Sequence, residues 1–357
     1  MQSNKKVKLI LENGLEFEGY SFGYEHPTHG EVVFSTAMVG YPESLTDPSY
    51  SGQILVSTYP IIGNYGVPPM EIENGLEKFF ESGKIHVRAL VITDYSFEYS
   101  HWNAVKSLDQ WMKEEKIPGI YGVDTRELTK TLREKGSMLG KIVPEGYSAD
   151  FAVSDPNKEN QVANVSCKEI IRYGKSDKKV VLVDCGVKNN IIRWLLNKGV
   201  EVIRVPWDYD FNQLEYDGLF ISNGPGDPNL CDTTVKNIQV AMAANKPICG
   251  ICMGNQLLSK AAGAKIFKLK YGHRGHNQPV RMYNSTSCFI TAQNHGYAVD
   301  LNTLPQDWEP LFINMNDGTC EGIKHKTKPF FSAQFHPEAA SGATDTVFLF
   351  DEFIKML

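Results

Sequence analysis

The chain has 357 residues, 42% of them apolar and 22% charged, with a formal net charge of −6 and no long run of one sign. That length suits about two domains, and the acidic balance argues against nucleic acid or an anionic membrane surface as the main partner. No stretch approaches the roughly 20 apolar residues of a membrane helix, the N-terminal apolar run is too short for a secretory leader, and seven scattered cysteines fit reduced thiols in a cytoplasmic setting.

Taken in chain order, "KVKLILENG" turns through Asn13-Gly14 into "LEFEGYSFG". Asn-Gly between alternating runs predicts a hairpin, and "GEVVFSTAMVG" follows as a further strand. "DTRELTKTLREKG" reads as a structural helix, with Asp124 to cap it, Glu127 three residues later and Gly136 to end it. Residues 1–145 are therefore expected to form a β-rich α/β domain. Residues 146–178, polar and rich in Asp, Asn, Lys and Ser, read as a connector.

From 179 to 357 the pattern alternates. "KKVVLVDCG", "VEVIRVPW", "DGLFISNG" and "PICGI" read as strands, while "KNNIIRWLLNKG", "TTVKNIQVAMAANK" and "NQLLSKAAGA" read as helices. Such alternation predicts an α/β domain with a doubly wound, mostly parallel sheet. In these sheets chemistry gathers beyond the carboxyl ends of the strands.

Cys252 lies at such an end. Gly250-Ile251-Cys252-Met253-Gly254 has the G-x-nucleophile-x-G spacing of a strand-to-helix elbow, which exposes its central side chain at a helix N-terminus. The Met253 amide would face the same space as an oxyanion donor. Alone, Cys252 reads equally as a small buried hydrophobe. A redox dithiol with Cys249 is disfavoured because Cys249 falls inside the strand, and no second C-x-x-C offers a zinc set.

"SAQFHPEAA" supplies partners. In an extended segment His336 and Glu338 would point to one side, as base and orienter of a triad. "ISNGPGDP" reads alone as a turn, although Gly224 and Gly226 would let a substrate approach the backbone. His273 and His276 in "YGHRGHNQP" are spaced like metal ligands, but without nearby cysteine or carboxylate they read as loop or interface residues, and no metal is expected.

"NGPGDP", "GICMGNQLL" and "QFHPE", in that order, resemble the class I, triad-type glutamine amidotransferases. "GEVVFSTAMVGYPESLTDPSYSGQILVSTYPIIGNYG", "GVDTRELTKTLREKGSMLGKI" and "QNHGYAVD" narrow the resemblance to the small, glutamine-hydrolysing chain of carbamoyl-phosphate synthetase, over nearly the whole length. The resemblance implies a glutaminase with Cys252 as nucleophile, His336 as acid/base and Glu338 as its orienter. Ser49, Gln256, Asn294, Gly296 and Tyr297 would hold L-glutamine, with backbone at Gly224, Gly226 and Met253 at the substrate or its oxyanion. Ser49 comes from the first domain, which would put the site near the domain interface.

Many relatives read G-I-C-L-G-H-Q where this chain has Met253 and Asn255; Met keeps the backbone donor, and position 255 is outside the triad. Some relatives carry serine for the cysteine and no longer use glutamine. No P-loop is present, so the chain itself is expected to hold no cofactor. The resemblance places ATP and Mg on a large synthetase subunit, the expected partner, which makes carbamoyl phosphate for arginine or pyrimidine synthesis. Starting with Met and ending after "TDTVFLFDEFIKML", the chain is expected to be a free small subunit, associating in one or more heterodimers. A non-catalytic glutamine-binding partner and a thiol amidase or peptidase on the same sheet stand as alternatives.

Overall fold

The Asn13-Gly14 turn opens the first unit of the chain. β1 (Lys6–Leu11) pairs antiparallel with β2 (Glu16–Gly23), Lys6 opposite Tyr20. The structure, a computed structural model, describes residues 5–357 and divides the chain between Glu159 and Asn160. In the first unit β3 (Thr28–Ser35), β4 (Gln53–Ser57), β5 (Ala89–Val91), β6 (Pro118–Tyr121) and β7 (Met138–Pro144) follow. With the hairpin they close a barrel in the order β1-β7-β3-β4-β5-β6-β2. Closure, which sets Leu9 opposite Ile142, leaves these strands no open edge.

Leu9, Val32, Ile54, Ile120 and Ile142 are fully buried in the barrel. α1 (Leu108–Glu114) starts at Ser107, whose side chain accepts from the Gln110 N–H, and buries Leu108, Trp111 and Met112. α2 (Thr125–Lys135) has the predicted cap: Asp124 accepts from the Glu127 N–H at 2.9 Å, and the helix stops at Gly136, φ 102°. The stretch 146–178, expected as connector, holds the junction between the units. Beyond it come a short helix, Gln161–Val165, and β8 (Ile171–Tyr173), both built into the second unit.

The second unit is one ten-stranded sheet. Its strands are β8, β9 (Lys179–Asp184), β10 (Glu201–Pro206), β11 (Gly218–Ile221) and β12 (Ile248–Ile251), then β13 (Ile266–Met282), β14 (Cys288–Val299), β15 (Trp308–Asn314), β16 (Cys320–His325) and β17 (Phe330–Ala333). Their order is β8-β10-β9-β11-β12-β17-β16-β15-β13-β14. β10, β9, β11, β12 and β17 run parallel, as the strand–helix alternation predicts for the first four, and the strands on both flanks are antiparallel.

The helices α3 (Asn189–Asn197), α4 (Asp232–Ala243), α5 (Met253–Ala262) and α6 (Phe348–Met356) belong to this unit. One core gathers Val181, Val183, Leu219, Ile221, Ile238, Leu257 and Leu258. Another contact set stacks Phe220 on Phe350 of α6, ring centroids 5.8 Å apart. No helix among the described residues is long and apolar enough to cross a membrane.

Candidate active site

The chain leaves β12 through Cys252, whose φ of 54° and ψ of −102° are rare for a residue with a side chain. Such a backbone costs about 1–3 kcal/mol and persists only where its surroundings impose it. Here the Cys252 N–H donates to the Ala333 carbonyl at 2.8 Å, and its own carbonyl accepts from the Gln256 N–H of α5 at 3.2 Å. The two glycines are dictated by space. A Cβ at Gly250 would stand 2.5 Å from the Gly254 carbonyl oxygen, and one at Gly254 would stand 2.1 Å from that of Ile221. The elbow is thus folded onto itself and onto the next strand.

Cys249 and Cys252 are both buried and unbridged. Cys249 lines a small apolar cavity with Phe220, Phe331, Leu349 and Phe350, and burial pushes its thiol pKa up. The sulfur of Cys252 instead lies 3.6 Å from the Asn294 carbonyl oxygen on β14.

His336 follows β17 and is anchored by its N–H, which donates to the Ala292 carbonyl at 2.9 Å. The extended segment expected here is replaced by a turn: β17 ends at Ala333, Pro337 and Glu338 bend, and the Ala339 N–H donates to the His336 carbonyl. The turn still brings the side chains together, with His336 Nδ1 2.6 Å from Glu338 Oε1. Nε2 is the remaining ring nitrogen, buried and without a hydrogen-bond partner among the described residues.

Lys188 joins this pair and was not foreseen. Its Nζ is 2.7 Å from Glu338 Oε1 and 3.5 Å from His336 Nδ1, with the lysine almost fully buried. Burial raises the pKa of Glu338, but Lys188 and His336 outweigh it and hold the carboxyl down at about 2. For His336, burial and Lys188 lower the pKa, while Glu338 and the nearby Cys252 raise it and prevail, to about 10. Lys188 occupies the position just before α3, a few residues beyond the carboxyl end of β9, and its side chain does not cap the helix. The rule that singled out Cys252 would have singled out "CGVKNN" as well.

The residues expected to hold substrate sit mainly around this centre. Gln256 Nε2 donates to the Tyr297 carbonyl at 3.1 Å and to Gln334 Oε1 at 3.2 Å, linking the elbow helix to β14 and to the segment before His336. Asn294, Gly296 and Tyr297 lie together on β14. Asn255, fully buried, accepts from the Ser332 hydroxyl at 2.8 Å and donates to Gln334 at 2.9 Å. Met253 is the first residue of α5, where helical N–H groups lack intrahelical partners.

Gly224 follows β11, but its bareness is explained by packing: a Cβ there would stand 2.1 Å from the Cys185 carbonyl oxygen. Gly226 has φ 81° and would press a Cβ against Gln161. Ser49 belongs to the first unit, buried in the turn Pro48–Tyr50, where its N–H donates to Asp47 Oδ1 at 2.9 Å.

The loop reading of His273 and His276 is corrected. Both lie on β13, a 17-residue strand whose pairing with β14 shifts register twice. Carboxylates absent from the local sequence are supplied by the fold, with Asp317 Oδ2 2.8 Å from His273 Nε2 and Glu321 Oε1 3.4 Å from Nδ1. Burial lowers the pKa of His273, but the two carboxylates raise it to about 9.

Comparison with known proteins agrees with the geometry. Residues 181–356 match the family model for class-I glutamine amidotransferases, and residues 9–142 match that for the carbamoyl-phosphate synthase small chain, CPSase domain. The mitochondrial carbamoyl-phosphate synthase [ammonia] of Mus musculus is 52% identical over 99% of this chain and 24% of its own length. The multifunctional protein CAD of Squalus acanthias is 54% identical over 97% of this chain and 16% of its own. Multifunctional protein pyr1-3 of Dictyostelium discoideum is 51% identical over 99% and 17%. The chain thus spans a quarter or less of the length of these relatives. With one family model falling within each of its two units, the chain belongs to the carbamoyl-phosphate synthase small-chain family, with a class-I glutamine amidotransferase domain.

Proposed function

We propose that the second unit hydrolyses L-glutamine to glutamate and ammonia through Cys252, His336 and Glu338. The observation that carries this reading is the His336–Glu338 contact of 2.6 Å, which leaves Nε2 as the ring nitrogen available to the elbow cysteine. Cys252, its thiol proton passed to His336, adds through sulfur to the side-chain carbonyl carbon of glutamine, and the carbonyl π pair moves onto oxygen. Backbone N–H groups, that of Met253 first, hold the oxyanion; one such donor is typically worth about 10²–10³ in rate. As the oxyanion collapses the C–N bond breaks, and His336 gives its proton to the departing nitrogen. The resulting glutamyl thioester is then cleaved by water, deprotonated by His336, which restores the thiol and releases glutamate.

Gln256, Asn294, Gly296, Tyr297, Ser49 and the backbone at Gly224 and Gly226 are proposed to hold the substrate. Lys188 is proposed to keep Glu338 ionised and His336 oriented. Ammonia in bulk water becomes ammonium, which is not a nucleophile, so the product is proposed to pass under shelter to a large synthetase that uses ATP and Mg to make carbamoyl phosphate. The sequence-based expectation makes that synthetase a separate chain in a cytoplasmic complex; the relatives matched above are single longer polypeptides.

The test is glutamate and ammonia release from glutamine, alone and with the synthetase, against Cys252→Ala. Loss of glutamine use in the variant, with ammonia-dependent synthesis retained, supports the assignment. Undiminished glutamine hydrolysis by Cys252→Ala, or peptide cleavage in preference to glutamine, overturns it.

A further inference from the structure

Behind the Asn294–Tyr297 segment lies a second cluster that the glutaminase chemistry does not use. His273 of β13, His295 of β14 and Glu321 of β16 are all buried, and one ligand-type atom from each lies within 4.8 Å of the others. Glu321 is fully buried and its Oε2 has no hydrogen-bond partner among the described residues. Its Oε1 receives the Asn314 amide at 2.8 Å. A carboxylate oxygen left without a donor in the interior calls for a proton or a cation.

The two imidazoles are oriented for a cation. His295 Nδ1 is 2.8 Å from the Tyr297 carbonyl oxygen, which only accepts; in the tautomer that makes this shorter of its two contacts, Nδ1 carries the proton and Nε2 keeps the lone pair. That Nε2 lies 3.9 Å from Glu321 Oε1 and 3.2 Å from Gln293 Oε1, an acceptor that has to turn aside when the nitrogen takes a metal ion. His273 Nε2 is turned to Asp317 Oδ2 at 2.8 Å, and Nδ1, 3.5 Å from the Asn314 amide nitrogen, faces Glu321 Oε1 at 3.4 Å, where a metal ion would take the place of the Nδ1 proton. Metal-binding histidines characteristically donate their second ring N–H to a carboxylate or a backbone carbonyl, and this cluster has one of each.

We propose that His273, His295 and Glu321 form a binding site for a divalent transition metal of the zinc class. Two imidazoles and one carboxylate suit zinc rather than calcium or magnesium, which prefer oxygen ligands throughout. The three residues come from three strands, so the ion would fasten β13, β14 and β16 to one another. Its place beside Tyr297, whose carbonyl also receives Gln256 of the elbow helix, makes it a brace for that segment. Metal binding is tested apart from glutamine turnover.

The test uses the full chain carrying Cys252→Ser, so that the elbow thiol cannot serve as an alternative ligand. The protein is stripped with a chelator, exposed to zinc, desalted and measured for bound metal and for thermal unfolding. We expect close to one zinc per chain and a raised Tm. Adding Glu321→Gln is expected to lower zinc affinity about 10²-fold or more and to abolish the Tm rise. His273→Gln provides the same comparison should Glu321→Gln fail to fold, and the parent protein needs neither. Zinc retained well below stoichiometry by the folded parent, or retained equally by the ligand variants, overturns the proposal.

Discussion

Lys188 Nζ and His336 Nδ1 converge on one oxygen, Glu338 Oε1, at 2.7 Å and 2.6 Å. The carboxylate is fully buried and the lysine nearly so, so the charges are compensated by one another rather than by water. Removing one member of a buried charged pair costs about 3–5 kcal/mol when the partner is left alone. In Lys188→Met the imidazole still faces Glu338, so we expect a smaller loss, about 1–3 kcal/mol, in urea unfolding. Glutamine kcat/KM should fall about 10²-fold, near 2.7 kcal/mol of transition-state stabilisation. Unchanged kinetics would remove Lys188 from the machinery.

The same group of charges sets a pH signature. The pKa of His336 is raised to about 10, so its stabilisation is complete below the ordinary imidazole value and is lost as pH rises through about 10. The pKa of Glu338 is lowered to about 2, so its share is complete above the ordinary carboxylate range and is lost as pH falls through about 2. A denaturation midpoint followed against pH should decline on the alkaline side between roughly 6.5 and that raised value, and His336→Asn should remove the His336 share, leaving the share of His273, which ends near 9. The proposed acid role gives kcat/KM an alkaline limb near the raised value; a limb at the ordinary imidazole pKa would contradict the pairing.

Gly254→Ala is expected to cripple the elbow. The new methyl would stand 2.1 Å from the Ile221 carbonyl oxygen, a backbone atom of the adjoining strand that cannot swing aside. We expect at least about 3 kcal/mol of destabilisation, within the range for severe steric substitutions, and glutaminase activity reduced by more than Ala costs at exposed positions. Circular dichroism melts compared with those of Ala substitutions at such positions check it.

Cys249→Ala separates the elbow reading from a dithiol. The side chain it removes lies in the apolar cavity under Phe220 and Phe350, not on the side of Asn294. Glutamine hydrolysis should stay within about twofold of the parent while stability drops about 1 kcal/mol, the usual scale for a small truncation in a core. Loss of activity at wild-type stability would revive a role for the second thiol.

How much of this was legible follows from the reach of each signal. β9, β11 and β12 announce themselves as continuous apolar runs, and the elbow as glycines two residues either side of Cys252, because those causes are local. β13 does not announce itself. "KYGHRGHNQP" has neither alternation nor an apolar run, and the pairing of this strand with β14 shifts register twice, which interrupts the period of two. Barrel closure between β1 and β7 depends on a pairing across more than a hundred residues, which no short-range pattern encodes. The His273–Glu321 contact is hidden for the same reason. Lys188 sat in plain view at a strand end, without a glycine or a cysteine to draw attention to it.

The crowding around Gly250 and Gly254 also bears on how this stretch can vary. Both sites are closed to any side chain by backbone atoms, whereas Ile251, Met253 and Asn255 carry buried side chains whose neighbours are other side chains of the domain as well as backbone. The two differences from the pattern that the resemblance leads one to expect, Met253 and Asn255, fall at these side-chain-bearing positions. Asn255 has been accommodated by a hydroxyl from Ser332 and an amide oxygen from Gln334. Drift in the elbow is therefore channelled into alternate residues, and a survey of tolerated substitutions along 249–256 should show a comb rather than a uniformly intolerant block.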